Sequence, residues 1–209
     1  MAIPTALGLR ERKRRRTREA IARCALELFE RQGFAETTIP QIAEAADVSP
    51  RTVSAYFPQK EQLAFPDSEE AFATLQARLH DRPPEETAAD ALRAWIGAWL
   101  ERQAGREDEL RVQRRVIRAH EGLRAYEHRF MRRAQEALTE AIARDLGADA
   151  DDLEPRMAAA ATLAVFDVLG DVHEPAEGGG APRTLADDLA LVDRALAFIG
   201  AGIAGLRQA

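Results

Sequence analysis

The side chains best placed to do chemistry in this 209-residue chain are grouped in one stretch, Thr37 to Lys60, TTIPQIAEAADVSPRTVSAYFPQK. Arg51, Thr52 and Ser54 stand within four residues of one another. An arginine can pair with guanine in a bidentate fashion, while threonine and serine hydroxyls contact bases or backbone less selectively. Thr37 and Thr38 precede one short helical pattern and Lys60 lies near the start of another. At such positions backbone N–H groups and the helix dipole favour an anion such as phosphate. Tyr56 adds a hydroxyl donor, although a half-buried ring with a wet tip accounts for it as well. The candidate nucleic-acid contacts are therefore Thr37, Thr38, Pro50, Arg51, Thr52, Ser54, Tyr56 and Lys60.

Two short helices must position them. Thr38 followed by Gln41 has capping-box spacing, and Ile39, Ile42, Ala43 and Ala46 then recur on one face, which predicts a helix over 38–46. Asp47 and Val48 form a turn, Ser49 is a good N-cap, and Pro50 opens a second helix that runs to Tyr56. Two helices across so tight a turn match the helix-turn-helix pattern, whose second helix enters the major groove. Ile21, Ala25 and Phe29, in the helix before it, have the spacing to close a small core with Ile39, Ile42, Val48, Val53, Phe57 and Leu63. That helix begins with the run Arg10 to Arg18, which carries seven basic residues and one acid and reads as a phosphate-contacting arm.

Other chemistries find little material. The four histidines, His80, His120, His128 and His173, show no metal-ligand spacing, and neither a nucleophile-base set nor a glycine-rich phosphate loop is apparent. No enzyme activity, cofactor or metal is expected. The scarcity of aromatic and β-branched runs predicts an all-α fold. Residues 1–65 carry 11 Lys and Arg against 8 Asp and Glu, and the remainder 18 against 27, so an overall charge of −6 conceals a basic head and an acidic body. One cysteine, Cys24, excludes an internal disulfide. The longest weakly polar runs fall short of the ~20 apolar residues of a membrane span, and no secretory signal is visible, so a cytoplasmic location is expected.

Beyond Leu63, Pro66 should break any helix, with Asp67 or Ser68 starting a new one to about His80. Helices are predicted over 87–103, 108–120 and 121–146, then from Asp151 or Asp152, and over 184–206, with a loop at His173 to Arg183. The middle three can enclose a cavity lined by Trp95, Trp99, Tyr126 and Phe130, with Arg118 and His120 nearby, and Phe166 of the following helix is a further candidate for ligand binding. Core filling explains any one of these aromatic residues equally well. The two C-terminal helices carry excess apolar surface with many small residues, which suggests an isologous dimer.

The run from about residue 14 to Leu63, with LELFERQGFAETTIPQIAEAADVS continuing into PRTVSAYFPQKEQL, resembles the DNA-binding domain of TetR-family transcriptional regulators. It preserves the order of apolar helix, Gly-Phe, paired Thr, Ile-Ala, Val-Ser, Tyr-Phe and Lys-Glu-Leu. Asp47 departs from it, since the family often has glycine in the turn. The resemblance implies a three-helix head at 10–65 and a larger helical body at 66–209 for effector binding and dimerisation. It further implies a dimeric repressor of a pseudo-palindromic operator, released by a small, mainly hydrophobic effector, with no membrane partner. The alternative is a helical small-molecule-binding protein or enzyme without DNA-binding activity.

Overall fold

The structure, a computed structural model, describes residues 8–172 and 185–206, leaving out the side chains of 166–172, 185, 203, 204 and 206. Among the described residues all regular structure is helical. The helices are α1 (Leu9–Gln32), α2 (Ile39–Ala45), α3 (Pro50–Tyr56), α4 (Ser68–His80), α5 (Ala88–Gln103), α6 (Glu107–Ala119), α7 (Glu121–Leu146), α8 (Leu153–Val172) and α9 (Leu185–Leu206), with a 3-10 turn at Lys60–Ala64 between α3 and α4. The all-α expectation holds. The loop expected at His173 to Arg183 lies outside the described residues.

Local sequence explains most boundaries. Thr87 caps α5 through a reciprocal box with Asp90, whose backbone N–H donates to the Thr87 hydroxyl at 3.1 Å. Gly147, at φ 66°, ends α7 in the left-handed conformation that glycine adopts without strain. The short helical pattern expected to start near Lys60 is a 3-10 segment, Lys60–Ala64, closed by Gln62 Oε1 accepting from the Gln59 N–H at 3.2 Å.

The chain forms two compact units. The first is Met1–Ser68 with Asp108–Glu127, and the second is Glu69–Glu107 with His128–Ala209. The first unit closes over Ile21, Ala25, Phe29, Ile42, Val53 and Phe57, and Val116, Ile117 and Leu123 belong to the same core. A division at residue 65 follows chain order. The compact units do not, because these three apolar residues of α6 and α7 are buried with α1 to α3. The second unit buries Leu75, Leu79, Leu92, Leu138, Ile142 and Ile199, drawn from α4, α5, α7 and α9.

Candidate nucleic-acid interface

The helix-turn-helix is built by side chains satisfying backbone groups. At the start of α2, Gln41 Oε1 accepts from the Thr38 N–H at 2.8 Å, while Thr38 Oγ1 accepts from the Gln41 N–H at 3.4 Å. The end of α2 is a Schellman turn: the Val48 N–H donates to the Ala43 carbonyl at 2.9 Å and the Asp47 N–H to that of Glu44 at 3.2 Å. This closure requires a left-handed residue, and Asp47 occupies it at φ 51°. Aspartate tolerates that conformation better than a β-branched side chain does. Asp47→Val is therefore expected to lower stability by about 1–2 kcal/mol, with Asp47→Gly equal to or slightly above the parent, as measured by urea unfolding.

Ser49 then caps α3, its Oγ accepting from the Thr52 N–H at 3.1 Å and lying 2.8 Å from Thr52 Oγ1. Pro50 occupies the first turn, where no N–H is needed. Val53 is buried and anchors the helix to the core, which leaves Pro50, Arg51, Ser54 and Ala55 exposed on the opposite face and Thr52 half-buried. Arg51 makes no hydrogen bond or ion pair among the described residues. The exposed face thus offers one free guanidinium, one free hydroxyl and one methyl group, which suit guanine, a base edge or phosphate, and a thymine methyl respectively.

Two of the expected contacts are engaged elsewhere. Thr37 is only 1% exposed, and its hydroxyl donates to the Gly33 carbonyl at 2.7 Å, so it ties down the end of α1 and offers nothing to a ligand. Lys60 sends its ammonium to the Phe34 carbonyl at 2.5 Å and sits 4.4 Å from the centre of the Phe34 ring. Burial pushes its pKa below the usual lysine value, against the opposing pull of Glu61 and Glu36. It braces the α1–α2 loop rather than reaching outward for phosphate. Thr38 is exposed, as is the end of α3 at which Tyr56 lies half-buried.

Arg18, grouped by sequence with the basic arm, also turns inward. Its Nε and Nη2 donate to the Pro66 carbonyl at 3.2 and 2.9 Å, and its Nη1 to that of Tyr56 at 2.8 Å. Its guanidinium stacks 4.3 Å from the Phe57 ring centre. Nothing in the periodicity separates this arginine from its neighbours, because its partners lie about forty residues away along the chain.

The residues considered for an effector fall in both compact units. In the first, Tyr126 is buried and stacks on Phe65 at 5.1 Å between ring centres, and His120 lies 4.6 Å from Phe34, its Nδ1 buried and without a hydrogen-bond partner among the described residues. Arg118 is exposed. In the second, Trp95 donates its Nε1–H to Thr74 Oγ1 at 3.0 Å, Phe130 packs edge-on to Phe72 at 6.2 Å, and Trp99 is half-buried. Phe166 lies in α8, and its side chain is outside the described residues. A cavity of about 120 Å³ within the second unit is lined by other residues, among them Leu92, Leu138, Ile142, Thr162 and Ile199.

Comparison with known proteins agrees with this geometry. Residues 21–65 match the family described as bacterial regulatory proteins, tetR family, and residues 86–204 match the MftR C-terminal domain. The HTH-type transcriptional regulator TcmR of Streptomyces glaucescens is 39% identical over 181 residues, covering 82% of this chain and 77% of that protein. The regulator MftR of Mycobacterium tuberculosis is 29% identical over 154 residues, 74% of this chain and 78% of that one. The fold is similar to that of SmeT in its triclosan complex, with a TM-score of 0.59 at 23% identity over 87% of this chain and 90% of the other. With its capped helix-turn-helix and these relatives over most of its length, the chain belongs to the TetR family of transcriptional regulators.

Proposed function

We propose that the protein is a ligand-responsive repressor that binds a pseudo-palindromic operator as a homodimer and leaves it when a small, mainly hydrophobic effector binds. The exposed face of α3 carries this reading: Arg51 and Ser54 project from a helix whose opposite side is locked into the core by Val53. Arg51, Thr52 and Ser54 read bases, while Thr38, Tyr56 and the N-terminal end of α3 at Pro50 lie against the backbone. Dimerisation is supported by large apolar side chains left in the open on the last two helices, Leu153 and Met157 on α8 and Phe198 on α9, the last 72% exposed. A two-fold pair would set two α3 helices about 34 Å apart, one turn of DNA.

The effector is assigned to the helical body, with Trp95, Trp99 and Phe130 as its aromatic contacts. That SmeT forms a complex with triclosan agrees with an apolar class of ligand. Effector binding releases DNA only if the ligand favours a conformation whose α3 spacing no longer matches the operator. Gel retardation of the fragment upstream of the protein's own gene tests the proposal. The expected result is a retarded complex that survives excess random-sequence DNA. Complete removal by an equal mass of random DNA would overturn operator recognition.

A further inference from the structure

The first two turns of α1 are not accounted for by the core. Residues Leu9 to Arg16 are all exposed, the first buried residue of the helix is Ile21, and the family match also begins at residue 21. Nothing apolar holds this segment in place. Its charges oppose helix formation: Arg10 with Arg14 and Arg12 with Arg16 are like-charged i,i+4 pairs, and cations near a helix N-terminus run against the dipole. Among the described residues, the ion pair in this segment is that of Arg15 with Glu19, at 3.3 Å. A polyanion alongside would remove both penalties.

The faces of the helix decide where such a polyanion lies. Arg10 and Arg14 continue, at i,i+4 spacing, the stripe that carries Arg18 and Ile21. That stripe faces the end of α3: Arg18 holds the Tyr56 carbonyl, and the Arg14 guanidinium stands over the Tyr56 ring at 5.9 Å from its centre. Tyr56 is the last residue of the helix that exposes Arg51. We infer that Arg10 and Arg14 form a phosphate clamp on DNA flanking the groove occupied by α3, with the Tyr56 ring as the platform that aims Arg14. This rests on the DNA-binding reading of the head and adds to it a contact surface outside the helix-turn-helix. The segment has a single apolar residue, Leu9, and so no face to insert into a membrane, which makes a nucleic-acid backbone the better polyanion.

The test is the salt dependence of binding to a random-sequence duplex and to the protein's own upstream fragment, for the wild type and for Arg10→Ala/Arg14→Ala. Alanine is the better helix former and removes cations from the helix start, so circular dichroism should show helicity kept or raised, and lost affinity cannot be assigned to unfolding. In the proposed dimer the double substitution removes four phosphate contacts, two from each protomer, which should reduce the slope of log K against log salt by about 3.6, and affinity on the order of thousands-fold near 0.1 M salt. The loss should be equal on both duplexes. An unchanged slope overturns the clamp, and so does a selective loss on the upstream fragment, which would mean that these arginines read bases. Binding to phosphatidylserine vesicles that disappears in the variant while the DNA slope stays put would also overturn it. Arg51→Ala on the same two duplexes tests the underlying reading separately, since it should remove preference for the upstream fragment and leave the slope nearly intact. If the wild type binds neither duplex in a salt-dependent way, both proposals fall.

Discussion

Replacing Arg82 with alanine is expected to destabilise the second compact unit by about 3–5 kcal/mol, the range for breaking one partner out of a buried ion pair. Arg82 follows α4, and its side chain is 7% exposed; that of its partner, Asp145 near the end of α7, is 14% exposed. Each nitrogen is used. Nε donates to the Glu86 carbonyl at 3.0 Å, Nη1 to that of Leu79 at 2.8 Å, and Nη2 to that of Ala141 at 2.9 Å and to the Asp145 carboxylate. The other Asp145 oxygen accepts from the Ala88 N–H at 2.6 Å. One guanidinium therefore joins the end of α4, the approach to α5 and the end of α7. Its removal takes a donor from three carbonyls, of which that of Leu79 keeps Arg144 Nη2 at 2.7 Å, and takes a charge-assisted bond from the Asp145 carboxylate, costs that truncation does not recover. At roughly 2–4 °C per kcal/mol for a chain of this size, the unfolding midpoint should fall by about 6–20 °C. Arg82→Met, which restores much of the lost packing but none of the bonds, should recover little. A loss below about 1 kcal/mol, the level of an exposed pair, would show that the cluster is solvated and the account of it mistaken.

Arg51→Ala is the second large effect, and it acts on binding alone. The side chain is exposed and makes no hydrogen bond or ion pair among the described residues, so folding stability should move by no more than about 0.5 kcal/mol. Affinity for the operator should fall by about 1–3 kcal/mol per half-site, the value of one bidentate arginine–guanine contact. Competition between the upstream fragment and random DNA measures it: the preference should collapse while random-sequence binding stays nearly level. A uniform loss on both would mark Arg51 as a backbone contact and move base reading to Ser54 and Thr52.

Features set by near neighbours in the chain could be read directly. The Thr38–Gln41 box, the Ser49 cap, the turn at Asp47 and Val48 and the full extent of α7 each depend on residues three to five apart or on one helical period, and the structure agrees with all of them. Features set by distant partners could not. Thr37 and Lys60 have the composition of phosphate contacts, yet each finds a carbonyl at the end of α1 or in the loop after it, and Arg18 finds two near the end of the head. The burial of Val116, Ile117 and Leu123 with the head core is likewise invisible to periodicity, which shows that a face is apolar but not which core it joins. Arg82 and Asp145 read as ordinary charges beside helix ends, 63 residues apart. Because the effector candidates Trp95, Trp99, Arg118, His120, Tyr126 and Phe130 belong to two compact units, residue type alone could not group them.

The most direct measurement is a hydroxyl-radical footprint of the wild-type protein on the DNA upstream of its own gene. Two α3 helices presented by a two-fold dimer should protect two symmetrically related patches, centred about one helical turn apart or a multiple of it. Arg51→Ala at the same concentration should leave neither patch. A single protected patch would contradict the dimeric arrangement, and no protection under conditions where the protein is folded would contradict the assignment of α3 as its DNA-reading helix.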